Sequence, residues 1–416
     1  MRQLEVLEQL PASDLLQLFA NLLKYGGGVA TCPEEKMIQL QEVVPIGEGA
    51  WSLGFKLTCM IAGVGQSVFV KMEKKLEQQG QLSCRRMELI RSSASRPGIV
   101  ETFGVFGWST ENGLLPLQPP TISPEVLEGL EVIFSVQRLV DHTEFAPLLS
   151  ILAKFGLETI QTSDPIGETE YSGEKLISTY LLVTRKMIEM HSTPTPLMSE
   201  EQKRNAYHAG VEYVLNSSER MRGLAALMPD FSKGAISEER VSALVAAMQA
   251  LAKKYQVSAP ERVTYIHGDY WGANIFSQKQ GDPVRVEVID PISALFGEPA
   301  NDVTFALADL AFLDINRSNG AELSGNFALL ADQFVDEYQR ESSDWEIRNF
   351  MALFFAYKAF VSALFDAGDN QYQRLQLFNV ACGVAELALR DENFTFSFNQ
   401  IAEYARVGSQ ISAGVS

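Results

Sequence analysis

Hydrophobic and polar positions follow two different periods along the chain, and the change falls about a third of the way through. Up to about residue 140, apolar residues run in short segments bounded by glycine, proline and polar turns, which is typical of β-strands. The predicted strands are 37–46, 53–62, 68–71, 99–106 and 131–139. A helical opening that contains Leu15, Leu18 and Leu22 precedes them. A charged, helix-favouring stretch at 74–93 follows the third strand, and a proline-rich loop at 116–124 separates the last two.

The remainder of the chain is dominated by helical periodicity. Residues 145–255 and those from 303 onward repeat apolar positions at helical spacing, around a loop at 265–276 and a strand at 284–289. The pattern predicts an α+β fold of two lobes. Residues 1–140 would form an N-terminal lobe with a leading helix, a five-stranded antiparallel sheet and one main helix, and residues 141–416 a larger, mostly helical lobe.

Composition and charge narrow the kind of protein. The 416 residues carry 34 basic and 52 acidic side chains, a net charge of −18, which disfavours nucleic acid and anionic membrane as partners and favours a cationic one. Solubility alone also accounts for such an acidic surface. The start lacks the apolar core of a signal peptide, and the four cysteines are scattered, so we expect a cytoplasmic protein.

The segment from His267 to Asn274 supplies the candidate chemistry, together with Asp290 sixteen residues further on. Asp269 is isolated, an amide follows at Asn274, and Asp290 ends an apolar run. Phosphoryl transfer needs a carboxylate beside the attacking hydroxyl and oxygen ligands for Mg²⁺. We therefore predict Asp269 as the catalytic base, Asn274 and Asp290 as magnesium ligands, and His267 as a brace for the loop.

The first lobe offers a cation at the end of a strand. Lys71 follows an apolar run and would bind nucleotide phosphates, held in place by a carboxylate from the charged helix. Glu88 is the preferred partner, and Glu77 is the alternative.

Two backbone segments of the first lobe complete the predicted nucleotide site. Gly47 and Gly49 would let the turn between the first two strands approach the phosphates closely. Gln137 and Leu139, at the end of the last strand, would present backbone groups to the purine edge at the hinge between the lobes.

These motifs resemble those of the aminoglycoside phosphotransferase and choline kinase group, the small-molecule branch of the protein-kinase-like fold. The resemblance rests on the segment from His267 to Asn274, on Ile289-Asp290-Pro291, and on the run from Gly297 to Asp302. It implies a bilobal kinase-like fold, ATP or GTP as donor, Mg²⁺ as cofactor, and a small hydroxylated acceptor such as an aminoglycoside, amino sugar or amino alcohol. It also implies that Asp302 is a structural helix cap.

Two departures from protein kinases favour a small-molecule acceptor. Gly268 stands where protein kinases carry the arginine that anchors an activation loop, and little chain separates Asp290 from Gly297. Tyr270 and Trp271 either stack on the acceptor or pack the loop. Two other readings stay open: a non-catalytic nucleotide-binding module that acts as a regulator, and transfer of a nucleotide instead of the γ-phosphoryl group.

Overall fold

The computed structural model describes most of the chain, and its residues cluster into two compact units. The described residues are 2–25, 38–48, 52–73, 86, 89–90, 98–117, 124–140, 144–158, 173–227, 236–258, 262–280, 283–292, 296–318, 325–365, 367 and 370–411. Unit 1 comprises Met1–His142 and Asp290–Ser293, and unit 2 comprises Thr143–Ile289 and Ala294–Ser416. The predicted division at residue 140 stays a prediction.

Unit 1 is built on an antiparallel sheet. Its helices are α1 (Arg2–Glu8), α2 (Ala12–Tyr25) and α3 (Pro124–Glu128). Its strands are β1 (Ile38–Glu48), β2 (Ser52–Ile61), β3 (Val64–Glu73), β4 (Thr102–Ser109), β5 (Gly113–Pro116) and β6 (Val132–Arg138). They lie in the order β1-β2-β3-β6-β4-β5.

The antiparallel sheet is confirmed, but the predicted number of five strands is wrong, because the structure describes six. The extra strand, β5, forms a hairpin with β4, and Gly113 at its start adopts a φ of 64° that favours glycine. The sequence pattern places its last residue, Pro116, in a loop, but an edge strand tolerates proline. The predicted helix at 74–93 lies largely outside the described residues.

Unit 1 buries apolar side chains on both faces of this sheet. On one face, Leu15, Leu18 and Phe19 of α2 pack against strand residues such as Phe134. Their spacing places them on one side of the helix. On the other face Ile133 joins a smaller apolar cluster. Strand β6 is therefore covered on both sides, as expected for a central strand.

Unit 2 is mostly helical, as the sequence predicts. Its helices are α4 (Leu148–Glu158), α5 (Gly173–Ser192), α6 (Glu200–Leu227), α7 (Glu238–Ser258), α8 (Ala300–Ser318), α9 (Asn326–Ser342), α10 (Met351–Phe365), α11 (Gln371–Arg390) and α12 (Ile401–Ile411). Its short strands are β7 (Phe145–Pro147), β8 (Thr264–Tyr265), β9 (Ile275–Gln278), β10 (Val286–Val288) and β11 (Phe296–Gly297). Within the described part of the chain, no helix has both the length and the apolar character that crossing a membrane requires.

The short strands frame the loop that carries the candidate base. β8 pairs with β11, and β9 lies between β7 and β10 in a second small sheet. Residues 267–274, which we call the Asp269 loop, connect the end of β8 to the start of β9. Both ends of the loop are therefore fixed by strand pairing inside a helical unit.

Candidate active site

The Asp269 loop is a tight turn held by its own backbone. The Trp271 N–H donates to the Asp269 carbonyl at 3.0 Å, and the Asn274 N–H donates to the Trp271 carbonyl at 2.9 Å. Gly268 has a φ of 80°, in the left-handed region where a side chain would be strained. The turn thus requires glycine at the position where a protein kinase carries arginine.

The Asn274 side chain lies directly against Asp269. Its Nδ2 donates to the Asp269 carboxylate Oδ2 at 3.0 Å and to the Asp269 carbonyl at 2.9 Å. The amide therefore fixes the carboxylate on one side. Because the nitrogen faces Asp269, the Oδ1 of the same amide is the atom oriented to accept a hydrogen bond or bind a cation.

His267 is fully buried and connects the loop to Ile289, the residue after β10. Its Nδ1 accepts the Asp269 N–H at 3.2 Å, and its Nε2 lies 2.8 Å from the Ile289 carbonyl. Since Nδ1 accepts, the ring proton resides on Nε2 and donates to Ile289. This geometry supports the bracing role expected from the sequence.

Asp302, at the start of α8, grips the first part of the loop. Its two carboxylate oxygens accept the backbone N–H groups of His267 and Gly268, each at 2.7 Å, and His191 Nε2 lies 3.1 Å away. The resemblance implies a helix cap, whereas the carboxylate accepts hydrogen bonds from the loop. The Asp302 carboxylate is 0% exposed. It therefore satisfies backbone N–H groups of the loop that are buried with it.

Asp309 grips the other part of the loop, a contact that the sequence did not lead us to expect. Its Oδ2 accepts the Gly272 N–H at 2.9 Å, while the Gly272 carbonyl accepts the Leu149 N–H at 2.8 Å. A Cβ at Gly272 would meet Leu149 N at 2.9 Å and the Asp309 carboxylate at 3.1 Å. The close packing at Gly272 leaves no room for a side chain.

Tyr357, on α10, is a second residue that the sequence analysis missed. Burial raises the pKa of its phenol to about 12; a hydrogen bond to Ser217 lowers it, the negative charge of Asp269 raises it and Arg220 lowers it. The interactions place Tyr357 in the electrostatic neighbourhood of the candidate base. Asp269 thus lies in a part of unit 2 that also presents hydroxyl and guanidinium groups from α6 and α10.

The two aromatic residues of the loop differ in their surroundings. Tyr270 is 1% exposed and lies edge-on to His267 with ring centroids 5.2 Å apart, so it packs the loop. Trp271 is half-buried, and the ammonium of Lys358 lies 4.2 Å from its ring centroid. A stacking role for Trp271 stays a prediction.

In unit 1, Lys71 contacts Asp290 although 219 positions separate them in sequence. Their side chains are 17% and 47% exposed. The predicted phosphate-binding cation and the predicted metal ligand are therefore neighbours. Glu88, the partner that we predicted for Lys71, lies outside the described residues.

Asp290 also has an unusual backbone. Its φ of 63° places it in the left-handed region, one of three such non-glycine residues in the described chain. Non-glycine residues in this conformation cost up to about 1–2 kcal/mol, aspartate less than most because its short polar side chain can hydrogen-bond locally, and they concentrate at functional sites. The backbone conformation is therefore a second reason, in addition to its position in the sequence, to regard Asp290 as a functional residue.

Lys71 belongs to a row of paired residues that crosses the sheet. Gly47 pairs with Gly54, Gly54 with Lys71, and Lys71 with Ser135. Side chains of directly paired residues share one face, so the two glycines place no side chain beside Lys71 on that face. We call these four residues the Lys71 row. Gly49 lies outside the described residues.

The predicted purine-binding residues stand at the end of β6. Gln137 pairs with Phe69 on one side and Thr102 on the other, and Leu139 follows the last residue of the strand. Their proposed role depends on backbone groups and stays a prediction.

The hairpin of β9 and β10 connects the loop in sequence to Asp290. The Ile289 N–H donates to the Asn274 carbonyl at 2.9 Å, so Asn274 stands opposite the residue that precedes Asp290. Among the described residues, no group of three or more His, Cys, Asp or Glu side chains is arranged to hold a metal ion.

Comparisons with known proteins give distant structural matches and no sequence match. No protein-family model matches the chain, and no curated protein sequence matches it. Three similar solved structures are a microcompartment-associated aminopropanol kinase, a glucosamine kinase and a choline kinase from Cryptosporidium parvum Iowa II. By their names, all three are small-molecule kinases.

The matches are long but distant. The aminopropanol kinase is 10% identical over 91% of this chain and 97% of its own, with a TM-score of 0.38. The glucosamine kinase is 15% identical over 96% and 84%, with a TM-score of 0.37. The choline kinase is 10% identical over 97% and 94%, with a TM-score of 0.29. TM-scores below 0.5 carry no argument about activity, so the case for a function rests on the geometry of the site.

Proposed function

We propose that this chain is a small-molecule kinase that moves the γ-phosphoryl group of ATP or GTP to a hydroxyl of a small acceptor. The observation that carries the proposal is the contact between Lys71 and Asp290. The sequence assigned these two residues separately, one to the phosphates and one to the metal. Their contact across 219 positions of sequence is what a shared nucleotide site requires.

Asp269 is the proposed base. It would accept the proton of the acceptor hydroxyl as that oxygen attacks the γ-phosphorus. The hydrogen bond from Asn274 and the backbone contact with His267 support this role, because they fix the position and direction of the carboxylate. A general base must hold such a geometry before its proton affinity matters.

Lys71 would neutralise phosphate charge, and Gly47, which has no side chain, would let the phosphates approach the backbone beside it. We assign Gly49 and Glu88 to the same nucleotide site from their sequence positions, and likewise Gln137 and Leu139. The negative net charge of the chain leaves a cationic acceptor, such as an amino sugar or amino alcohol, as the favoured class.

Asn274 and Asp290 are the proposed magnesium ligands. An amide oxygen and a carboxylate are hard oxygen donors, and Mg²⁺ commonly takes only one or two protein ligands and completes its shell with water and phosphate oxygens. The donor set at these positions fits that preference. When bound, the ion would neutralise the charge on the phosphate oxygens.

Nucleotide release in the presence of acceptors tests the proposal. Magnesium-dependent formation of ADP and GDP would be measured across aminoglycosides, amino sugars, macrolides and amino alcohols, with wild type and Asp269→Asn in parallel. We expect one acceptor class to stimulate release, and the substitution to reduce it by about 10²–10⁴-fold, the usual contribution of a general base. Nucleotide binding should survive, since Asp269 is not assigned to it.

The outcomes separate the alternatives. Tight nucleotide binding without release for any acceptor would favour the non-catalytic module. An acceptor that gains the mass of a nucleotide instead of a phosphate would show nucleotide transfer. Turnover that is equal in wild type and Asp269→Asn would remove Asp269 from the mechanism.

A further inference from the structure

Helix α10 is almost wholly apolar, yet it carries one buried cation. The side chain of Lys358 is 4% exposed, and its ammonium lies 2.9 Å from Oδ1 of Asp309, which is also 4% exposed. Burying a charge is costly unless it is paired and hydrogen-bonded, and a well-packed apolar pair is often as stable. A buried ion pair in such a helix therefore calls for a reason other than stability.

The second oxygen of Asp309 points to that reason. Oδ1 takes the Lys358 ammonium, while Oδ2 accepts the Gly272 N–H of the Asp269 loop at 2.9 Å. Two turns earlier on the same helix, Asp302 accepts the N–H groups that open the loop. Residues seven apart share one face of a helix and lie about 10.5 Å apart along its axis. Helix α8 thus holds the loop on both sides of Asp269.

Lys358 contacts the loop directly as well. Its ammonium lies 4.2 Å from the centroid of the Trp271 ring, within the range of a cation–π interaction. The Trp271 backbone in turn donates to Asp269 and accepts from Asn274. A displacement of Trp271 would therefore move the candidate base and the candidate metal ligand together.

We propose that Lys358 and Asp309 are positioning residues: the pair locks Trp271 and Gly272 so that Asp269 and Asn274 keep their reactive geometry. Neither residue touches the reacting atoms in this account. The kinetic consequence rests on the proposed function, whereas the mechanical consequence, a loop held by α8 and α10, does not. A misplacement of about 1 Å in a catalytic group is enough to lower turnover about 10²-fold.

Four variants test the proposal. Lys358→Met removes the cation at similar bulk, and Lys358→Arg keeps it. Lys358→Met combined with Asp309→Asn leaves no lone buried charge and retains an oxygen acceptor for the Gly272 N–H. Arg348→Met is the control, since it removes a different set of ion pairs in unit 2, from Arg348 to Asp332 at 2.6 Å and to Asp336 at 2.8 Å. Each variant would be assayed for melting temperature, kcat and hydrogen exchange of a peptide covering 268–276.

We expect Lys358→Met to lower kcat about 10–100-fold and to accelerate exchange in the loop peptide. Lys358→Arg should recover part of both. The double variant should regain melting temperature but neither kcat nor exchange protection, because nothing replaces the contact with Trp271. The control should lower the melting temperature while kcat and loop exchange stay at wild-type values.

Recovery of both kcat and loop protection in the double variant would overturn the proposal, since the pair would then only neutralise charge. Unchanged exchange in the loop of Lys358→Met would overturn it too. If the wild type transfers no phosphoryl group to any acceptor, the proposed function fails, and the exchange measurements alone decide whether the pair holds the loop.

Discussion

The Asp269 loop of unit 2 and the Lys71 row of unit 1 hold their candidate residues by different means. The backbone of the loop donates hydrogen bonds to two buried carboxylates, Asp302 and Asp309. Both belong to a helix more than thirty residues further along the sequence. The row is set by strand register alone, and its charged neighbour Asp290 is 47% exposed. Damage to the loop should therefore appear in stability and turnover, and damage around the row mainly in nucleotide binding.

Removal of the Asp302 carboxylate is the severest test of the loop. Asp302→Ala leaves two buried N–H groups and His191 without their acceptor, so we expect the free energy of unfolding to fall by about 3–5 kcal/mol. Chemical denaturation followed by circular dichroism measures this free energy.

Asp302→Asn keeps an oxygen acceptor and should lose less stability. Asp336→Ala, which removes a 67% exposed carboxylate paired with Arg348, is the control and should change little. If Asp302→Ala lowered the free energy of unfolding by less than about 1 kcal/mol, the loop would keep its conformation through its own backbone hydrogen bonds.

The next largest effect is expected at Gly272. In Gly272→Ala the new Cβ would meet the Leu149 nitrogen at 2.9 Å and Asp309 at 3.1 Å, so the loop must shift. We expect a loss of about 1–3 kcal/mol in stability and a fall in kcat, read by thermal unfolding and by nucleotide release. Gly223→Ala, in α6, meets nothing within 4 Å and should stabilise by up to about 1 kcal/mol. Wild-type kcat in Gly272→Ala would show that the loop tolerates displacement.

The sequence predicted the strands around Lys71 better than the contacts that hold the loop. Strand period and turn glycines are local signals, so β1 to β3 and the position of Lys71 followed from short windows of sequence. The Asp269 loop was recognisable from its own eight residues. Its supports were not, because hydrogen bonds between distant segments leave no local pattern.

Lys358 shows where the limit lies. A lysine in an almost wholly apolar helix is rarely fully buried unless its charge is paired, so Lys358 implies a partner. The identity of the partner depends on how α8 and α10 pack, which periodicity does not encode. The same limit applies to Lys71, whose contact with Asp290 no sequence separation could have indicated. Strand β5 was not predicted for a different reason. Its four residues, the last of which is proline, are too few to show the alternation of apolar and polar positions that marks a strand.

The Lys71 row yields a test on ligand binding. Gly54→Val places a branched side chain between Gly47 and Lys71, on the face that carries the lysine. We expect about tenfold weaker binding of ATP or GTP, roughly 1.4 kcal/mol, measured by calorimetry. Gly65→Val is the matched strand control, since a Cβ at Gly65 meets only the Met60 sulfur at 3.7 Å. If both variants bound ATP or GTP with the same affinity, the Lys71 row would not be part of the nucleotide site.

Among the variants of candidate site residues, the smallest expected change in stability belongs to Asp290, and its sign is opposite to that expected at Asp302 and Gly272. Because its φ of 63° suits glycine, Asp290→Gly should relieve strain and raise the free energy of unfolding by about 0.5–1 kcal/mol, despite the lost contact with Lys71. Nucleotide binding should nevertheless weaken, and only when Mg²⁺ is present.

Ala62→Gly and Ser343→Gly, at φ of 52° and 61°, are controls outside the candidate site that should show the stability change without the binding change. If Asp290→Gly gained stability and kept its magnesium-dependent affinity, the strained aspartate would have no role in the nucleotide site. Stability lost together with affinity would instead assign Asp290 to the structure of unit 1.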